Sequence, residues 1–218
     1  MTKFIELSHL IEEGMITYTG LPGPVISDHL SREDAVSHYS EGTTFQIGKI
    51  DMVANTGTYI DAPFHRYSEG IDLSGLRMAS IANLDGIVFR TAQGMRSIGK
   101  DVFDNDNIEG KAVLIHTGWD RHWRTDAYFE NHPFLTRAAA EYLKSCGAAL
   151  VGIDSLYIDD TADGTRPAHS ILLKANIPIV EHMCNLEALP ESGFKFFAVP
   201  APVKGMGSFP VRAFAIID

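Results

Sequence analysis

Apolar positions follow two different rhythms along this chain. In the first third they come in short runs bounded by turns. Phe4 to Leu7 reads as a short strand, and Gly14, Gly20, Pro22, Gly23 and Pro24 punctuate the loop after it. "TTFQIGKIDMVANTGTYID" (43–61) follows, rich in β-branched residues and partly alternating. The second half changes period. "KAVLIHTGW" (111–119) reads as a buried strand, and "HPFLTRAAAEYLKSCG" (132–147) as a helix with Gly147 as its C-terminal stop. "AALVGID" (148–154) is a second buried strand, "AHSILLKAN" (168–176) a helix and "IPIVEHM" (177–183) a third strand. Strand–helix–strand units with short connections predict parallel strands, so the chain is α/β: β-rich early, α/β later.

Two places in this pattern attract polar residues. In "ANTGTYIDAPFHRY" (54–67), Asn55, Tyr59, Asp61 and His65 all stand at odd positions, which in an extended chain share one face. The loop "LYIDDTADGTRPAH" (156–169) lies beyond the C-terminal end of the second parallel strand, the edge where open α/β sheets place ligands, and His169 falls near the start of the next helix. Glu181 continues the apolar row of Ile177 and Ile179 on one strand face, and a carboxylate in such a row needs a cationic or histidine partner. "KGMGS" (204–208) reads as a turn before the last strand, "VRAFAII".

Composition narrows the classes. The 218 residues, 45% hydrophobic and 21% charged, suit one soluble globular domain over 1–218. The formal net charge is −10 with no basic run, which argues against nucleic acid or an anionic membrane as partner. Cys146 and Cys184 form no CxxC pair and read as free, packed thiols in a reducing compartment. The N-terminus has no signal-peptide pattern and no apolar run nears the ~18 residues of a membrane span, so the expectation is a cytoplasmic protein.

No GxSxG elbow, Walker loop or GxGxxG follows a strand, which removes serine-hydrolase, nucleotide and dinucleotide readings. What remains is Asn55, Tyr59, Asp61 and His65 on one side, and His169 with Glu181 on the other. Asp, His and Glu suit a divalent ion such as Zn²⁺ or Mn²⁺. On spacing alone the metal signal is weak, and turn chemistry at Asp61, a surface position for His65 and a solvated strand end at Glu181 are the more ordinary readings. Tyr59 reads as readily as a strand aromatic with its hydroxyl satisfied. Tyr18, Phe64, Trp119 and Trp123 suit either a pocket for an aromatic ring or the core.

"NTGTYIDAPFH" (55–65) stands where the cyclase family of metal-dependent hydrolases, which includes bacterial kynurenine formamidase and isatin hydrolase, carries H-x-G-T-H-x-D-x-P-x-H. "IELSHLIEEGMITYTGLPGP" resembles that family's opening strand and loop, and "VLIHTGWDRHW" its central strand and Thr-Gly-Trp turn. "GIDSLYIDD" and "AHSILLKANIPIVEHMCNLEALP" resemble its later blocks, and "FAVPAPVKGMGSFPVRAFAII" its closing hairpin. The resemblance spans nearly the whole chain. It implies a swivelling β/β/α domain in homodimers or homotetramers, with residues 1–30 a strand and arm whose Phe4, Ile5, Met15 and Ile16 meet a partner surface.

The resemblance also implies roles. Asp61 binds metal, His169 and Glu181 complete the metal site, and His65 serves in acid–base chemistry. The two signature histidines, metal ligands in the family, are Asn55 and Tyr59 here, both poorer zinc ligands than imidazole. One ion held by Asp61, His169 and Glu181 with an open water position is then expected, with Tyr59 or Asn55 donating to the oxyanion. Two readings follow: a hydrolase of a small amide, formamide, lactam or lactone, or a metal-free protein of the same fold that binds a small molecule or does other chemistry.

Overall fold

A computed structural model describes residues 1–103 and 107–217. The β-rich first part contributes β1 (Lys3–Glu6), β2 (Val25–Leu30), β3 (Ile47–Asp51), β4 (Tyr59–Asp61), β5 (Leu84–Arg90) and β6 (Ser97–Ile98). The second part adds β7 (Ala112–His116), β8 (Phe134–Leu135), β9 (Leu150–Ile153), β10 (Ile179–Glu181), β11 (Ser192–Phe197), β12 (Ser208–Pro210) and β13 (Phe214–Ile217). A four-residue helix α1 (Arg32–Ala35) follows β2, and the longer α2 (Arg137–Ser145) and α3 (Pro167–Lys174) precede β9 and β10.

Nine of these strands form one sheet in the order β1-β13-β11-β5-β7-β9-β10-β4-β12. Its centre, β5-β7-β9-β10, is parallel, as the strand–helix–strand pattern predicts, and the flanking pairs are antiparallel. Parallel strands are covered on both faces, which is why they read as continuous apolar runs. Val113, Ile115, Val151 and Ile153 face α2 and α3 through Ala139, Leu143 and Leu172, while Ala112, Leu114 and Leu150 face a second core with Ile60, Phe194 and Phe196. No helix among the described residues is long and apolar enough to cross a membrane.

The expected closing hairpin is not one. β12 pairs with β4, whereas β13 pairs with β11 and β1. Only Val211, Arg212 and Ala213 separate β12 from β13, a reach of about 10 Å. The two ends of the nine-strand order therefore lie side by side and the sheet is curled almost shut. Val211 N–H to Thr58 O (3.0 Å) and Leu7 N–H to Ala213 O (3.0 Å) stitch that seam.

The helices begin and stop for local reasons. Thr136 Oγ1 accepts from Ala139 N–H (3.2 Å) at the start of α2, and Gly147 ends it in the left-handed region (φ 73°). The N-terminal segment only partly needs a partner: Ile5 and Met15 are buried in their own chain, while Phe4 and Ile16 are exposed. The β2–β3 ribbon pairs with no other strand among the described residues and exposes Val25, Ile26, Ile47 and Ile50.

Candidate functional site

β4 is only three residues long, and its two neighbours fix what it faces. Tyr59 stands opposite Glu181 of β10 and Pro210 of β12, and Asp61 opposite Ile179 and Ser208. Tyr59 and Asp61 therefore share one face, as odd positions predict, with Ile60 in the core on the other. The shared face does not extend to Asn55 and His65. Asn55 lies in the loop before β4, and Pro63 starts a single 3-10 turn, Pro63–His65, that carries His65 back over the strand end.

Asp61, Asp159 and Glu181 have no solvent exposure, and His169 has 2%. Asp159 caps α3, accepting from Ala168 N–H (2.6 Å) and His169 N–H (3.1 Å), and binds His169 Nδ1 (2.7 Å). In the neutral ring that last bond keeps the proton on Nδ1 and presents the Nε2 lone pair. Nε2 lies 3.5 Å from Asp61 Oδ2 and 3.7 Å from Glu181 Oε1. Asp61 Oδ2 and His169 Nε2 are both buried without a hydrogen-bond partner. Glu181 is better served: Ile158 N–H donates to Oε1 (2.7 Å) and the Tyr59 hydroxyl to Oε2.

The charges explain the shifted ionisation. Burial alone would push the His169 imidazole down, but Glu181, Asp159 and Asp61 outweigh it and lift it to about 10. Burial likewise lifts the Glu181 carboxyl above the usual range, against the pull of His169. Even with His169 protonated, three buried carboxylates face one cation, a cluster that calls for further positive charge.

His65 belongs to a second arrangement around Ser208, a residue the sequence did not single out. The Ser208 hydroxyl donates to Asp61 Oδ1 and lies 2.8 Å from His65 Nδ1. Its single proton goes to the carboxylate, so the serine oxygen accepts from His65 Nδ1–H, which leaves His65 Nε2 free to take a proton. Gly207 makes room for this: a Cβ there would sit 2.4 Å from the His65 Cα. Asp61, His65 and His169 together can bring ligand atoms within 4.8 Å of one another, a possible Asp–His–His metal set.

Above the carboxylates lies a pocket of about 290 Å³ lined by Tyr18, Asn55, Tyr59, His65, Tyr157 and Arg166, among others. Tyr18 bonds the Tyr59 hydroxyl, Leu156 O (3.2 Å) and His182 Nε2 (3.0 Å), and His182 Nδ1 meets Tyr128 (2.9 Å). Burial, then the Glu181 charge, holds both Tyr18 and Tyr59 well above the ordinary phenol value, so both hydroxyls keep their protons. Tyr59 is thus a donor to Glu181 rather than a phenolate. Of the other aromatics weighed, Trp123 stacks on His9 (4.0 Å) and Trp119 donates to Tyr128 O (3.0 Å), away from the pocket lining. Cys184 is buried and burial raises its thiol to about 12, which fits packing.

A family model described as putative cyclase matches residues 5–160. The kynurenine formamidase of Bacillus cereus (strain ATCC 10987 / NRS 248) is 31% identical over 183 residues, spanning 79% of this chain and 81% of that protein. The kynurenine formamidase of Geobacillus thermodenitrificans (strain NG80-2) is 28% identical over 215 residues, spanning 98% and 97%. A solved structure described as a potential metal-dependent hydrolase with cyclase activity superposes with a TM-score of 0.82 at 26% identity, covering 100% of this chain and 99% of its own. Isatin hydrolase A from Labrenzia aggregata gives 0.82 at 18% identity over 99% and 94%, a likeness of fold alone.

Proposed function

The chain belongs to the cyclase family, and from that premise we propose that it hydrolyses a small amide, formamide, lactam or lactone. One observation carries the reading. Two buried ligand atoms, Asp61 Oδ2 and His169 Nε2, face each other at 3.5 Å with no hydrogen-bond partner, amid excess negative charge. That donor set fits a divalent cation, and Asp61, His169 and Glu181 are the residues that would hold Zn²⁺ or Mn²⁺ there. Bound, such an ion supplies Lewis acidity, lowering the pKa of a water and polarising the carbonyl under attack.

The chain's own residues do the rest. His65 Nε2 takes the proton of the attacking water and hands it to the leaving amine, while Ser208 and Asp61 hold its Nδ1–H. Asn55, lining the pocket, offers a carboxamide N–H to the carbonyl oxygen as it gains charge. Asp159 keeps His169 in the ligating tautomer. Tyr59, where the family has an imidazole, instead holds Glu181 by its hydroxyl. That substitution is the observation favouring the second reading, a metal-free binding protein of the same fold.

We also infer a homodimer or homotetramer, supported by the unpaired, apolar β2–β3 ribbon. The test of the activity is hydrolysis of N-formylkynurenine, isatin and formanilide by protein purified without chelator, with elemental analysis of the same sample. Turnover with about one divalent ion per chain is expected. No turnover and no metal would leave the binding reading in its place.

A further inference from the structure

The last pocket residue has a role that hydrolysis of an unspecified amide does not use. Arg166 directly precedes α3 in the left-handed region (φ 47°, ψ 63°), which residues other than glycine, asparagine and aspartate seldom enter. That conformation, clipped by Nη1 to the carbonyls of Asp160 (2.6 Å) and Asp163 (3.1 Å), fixes where the guanidinium lies. Its central carbon is 5.0 Å from the centroid of the Tyr157 ring, and Tyr157 in turn lies against His169 with ring centroids 4.8 Å apart.

Beyond the Tyr157 ring and the two loop carbonyls, the Arg166 charge has no partner among the described residues. Arg96, Arg124 and Arg212 each meet a carboxylate at 2.7 to 2.8 Å, whereas Arg166 makes no ion pair among the described residues. Asp163 is held below its ordinary value chiefly by Thr165, with Arg166 the least of the influences on it. The Nε and Nη2 hydrogens of Arg166 have no protein acceptor among the described residues. In a chain of net charge −10, the pocket lining contains no Asp or Glu among the described residues, and its basic members there are Arg166 and His65. Thr161 adds a hydroxyl to the same wall.

We propose that Arg166 is a substrate-binding residue that selects aromatic amides carrying a carboxylate, with the ring among Tyr18, Tyr59 and Tyr157 and the amide towards His65. A carboxylate is the anion whose two oxygens match the two unused guanidinium N–H directions. At about 290 Å³ the pocket suits one substituted ring and little more. This proposal rests on the hydrolase reading, and its test separates the two.

The experiment measures kcat/KM for ortho-, meta- and para-formamidobenzoate and for formanilide, in wild type, Arg166→Gln and Arg166→Lys. Gln keeps a donor for the loop carbonyls without the charge, and Lys keeps the charge. Wild type should prefer at least one anionic compound. Arg166→Gln should lose about 10- to 100-fold on it and less than about threefold on formanilide, with partial recovery in Arg166→Lys. Equal losses on both compounds, or wild-type indifference to the carboxylate, would overturn the proposal. Should neither the formamides nor isatin be hydrolysed, the hydrolase reading fails, and calorimetric titration with benzoate and benzamide still decides Arg166. Tighter binding of benzoate, lost selectively in Arg166→Gln, supports the assignment; equal affinities in wild type, or a benzoate affinity unchanged in Arg166→Gln, refute it.

Discussion

Ser208 Oγ lies 2.8 Å from Nδ1 of His65, and its one proton is directed at Asp61. The hydrogen-bond arithmetic of this pair, rather than the position of His65 alone, assigns the free lone pair to Nε2 on the pocket side. His65→Ala should therefore lower kcat on any confirmed substrate by about 10²–10⁴-fold. Metal content and melting temperature should change little if Asp61, His169 and Glu181, and not His65, hold the ion. His65→Asn, polar but without a titrating group, should be equally impaired. Near-normal turnover in either variant would move the base elsewhere.

Ser208→Ala removes the orienting hydroxyl and keeps the imidazole. A loss of about 10- to 100-fold in kcat is expected, the scale of an outer hydrogen-bond partner. Because Ser208 acts through His65, the double variant should be no worse than His65→Ala alone. Additive losses in steady-state kinetics would refute the linkage. Gly207→Ala should reproduce the Ser208 defect by displacing His65, since its Cβ would meet the His65 backbone at 2.4 Å.

Asp61→Ala should abolish stoichiometric metal by elemental analysis. In wild type, chelator should lower the melting temperature and activity, and added Zn²⁺ or Mn²⁺ should restore both. Saturation at a hundred times Kd corresponds to about 2.7 kcal/mol of stabilisation. A melting curve indifferent to chelator and to added ions would end the metal reading.

Tyr59→His with Asn55→His rebuilds the signature histidines. Metal content should rise from about one to about two ions per chain, since imidazole outcompetes a neutral phenol or carboxamide for zinc. Tyr59→Phe alone should destabilise the fold by about 1–3 kcal/mol, because the hydroxyl it loses serves a fully buried carboxylate. Denaturant unfolding of that variant checks the size.

Ile26 and Ile50 face each other across the β2–β3 ribbon, 45% and 46% exposed. Light scattering should give a mass of at least two chains of 23.9 kDa. Ile26→Asp with Ile50→Asp should shift that mass to a single chain, and an unchanged oligomer would clear the ribbon of the role.

The elements that sequence made legible were those whose signal is periodic. The parallel strands announced themselves as apolar runs, α2 by its alanines and Gly147, and Glu181 by its place after Ile177 and Ile179. Asp61 Oδ2 and Glu181 Oε1 lie 3.5 Å and 3.7 Å from His169 Nε2. Ser208 was hidden because a lone serine in "KGMGS" looks like any turn residue, and β12 is too short to show a period. Asp159 was hidden for a related reason: its capping of α3 spans a loop, outside the usual three-residue box. The straight odd-numbered face failed at Pro63, where the chain leaves extended geometry.

The bonds that hold the site join distant parts of the chain. Tyr59 and Glu181 are 122 positions apart, Thr58 and His182 124, and Asp61 and Ser208 147. Closing loops of that size is entropically slow and cannot be done by any local hairpin. During synthesis the first 200 residues can assemble the central strands, but Asp61 waits for β12 to emerge before its carboxylate is oriented. The hydrogen bonds around Asp61 and Tyr59 are thus completed only when the curled sheet closes at its seam, and a chain cut short before that seam lacks both the hydroxyl that orients Asp61 and β13, the strand that joins β1 to β11.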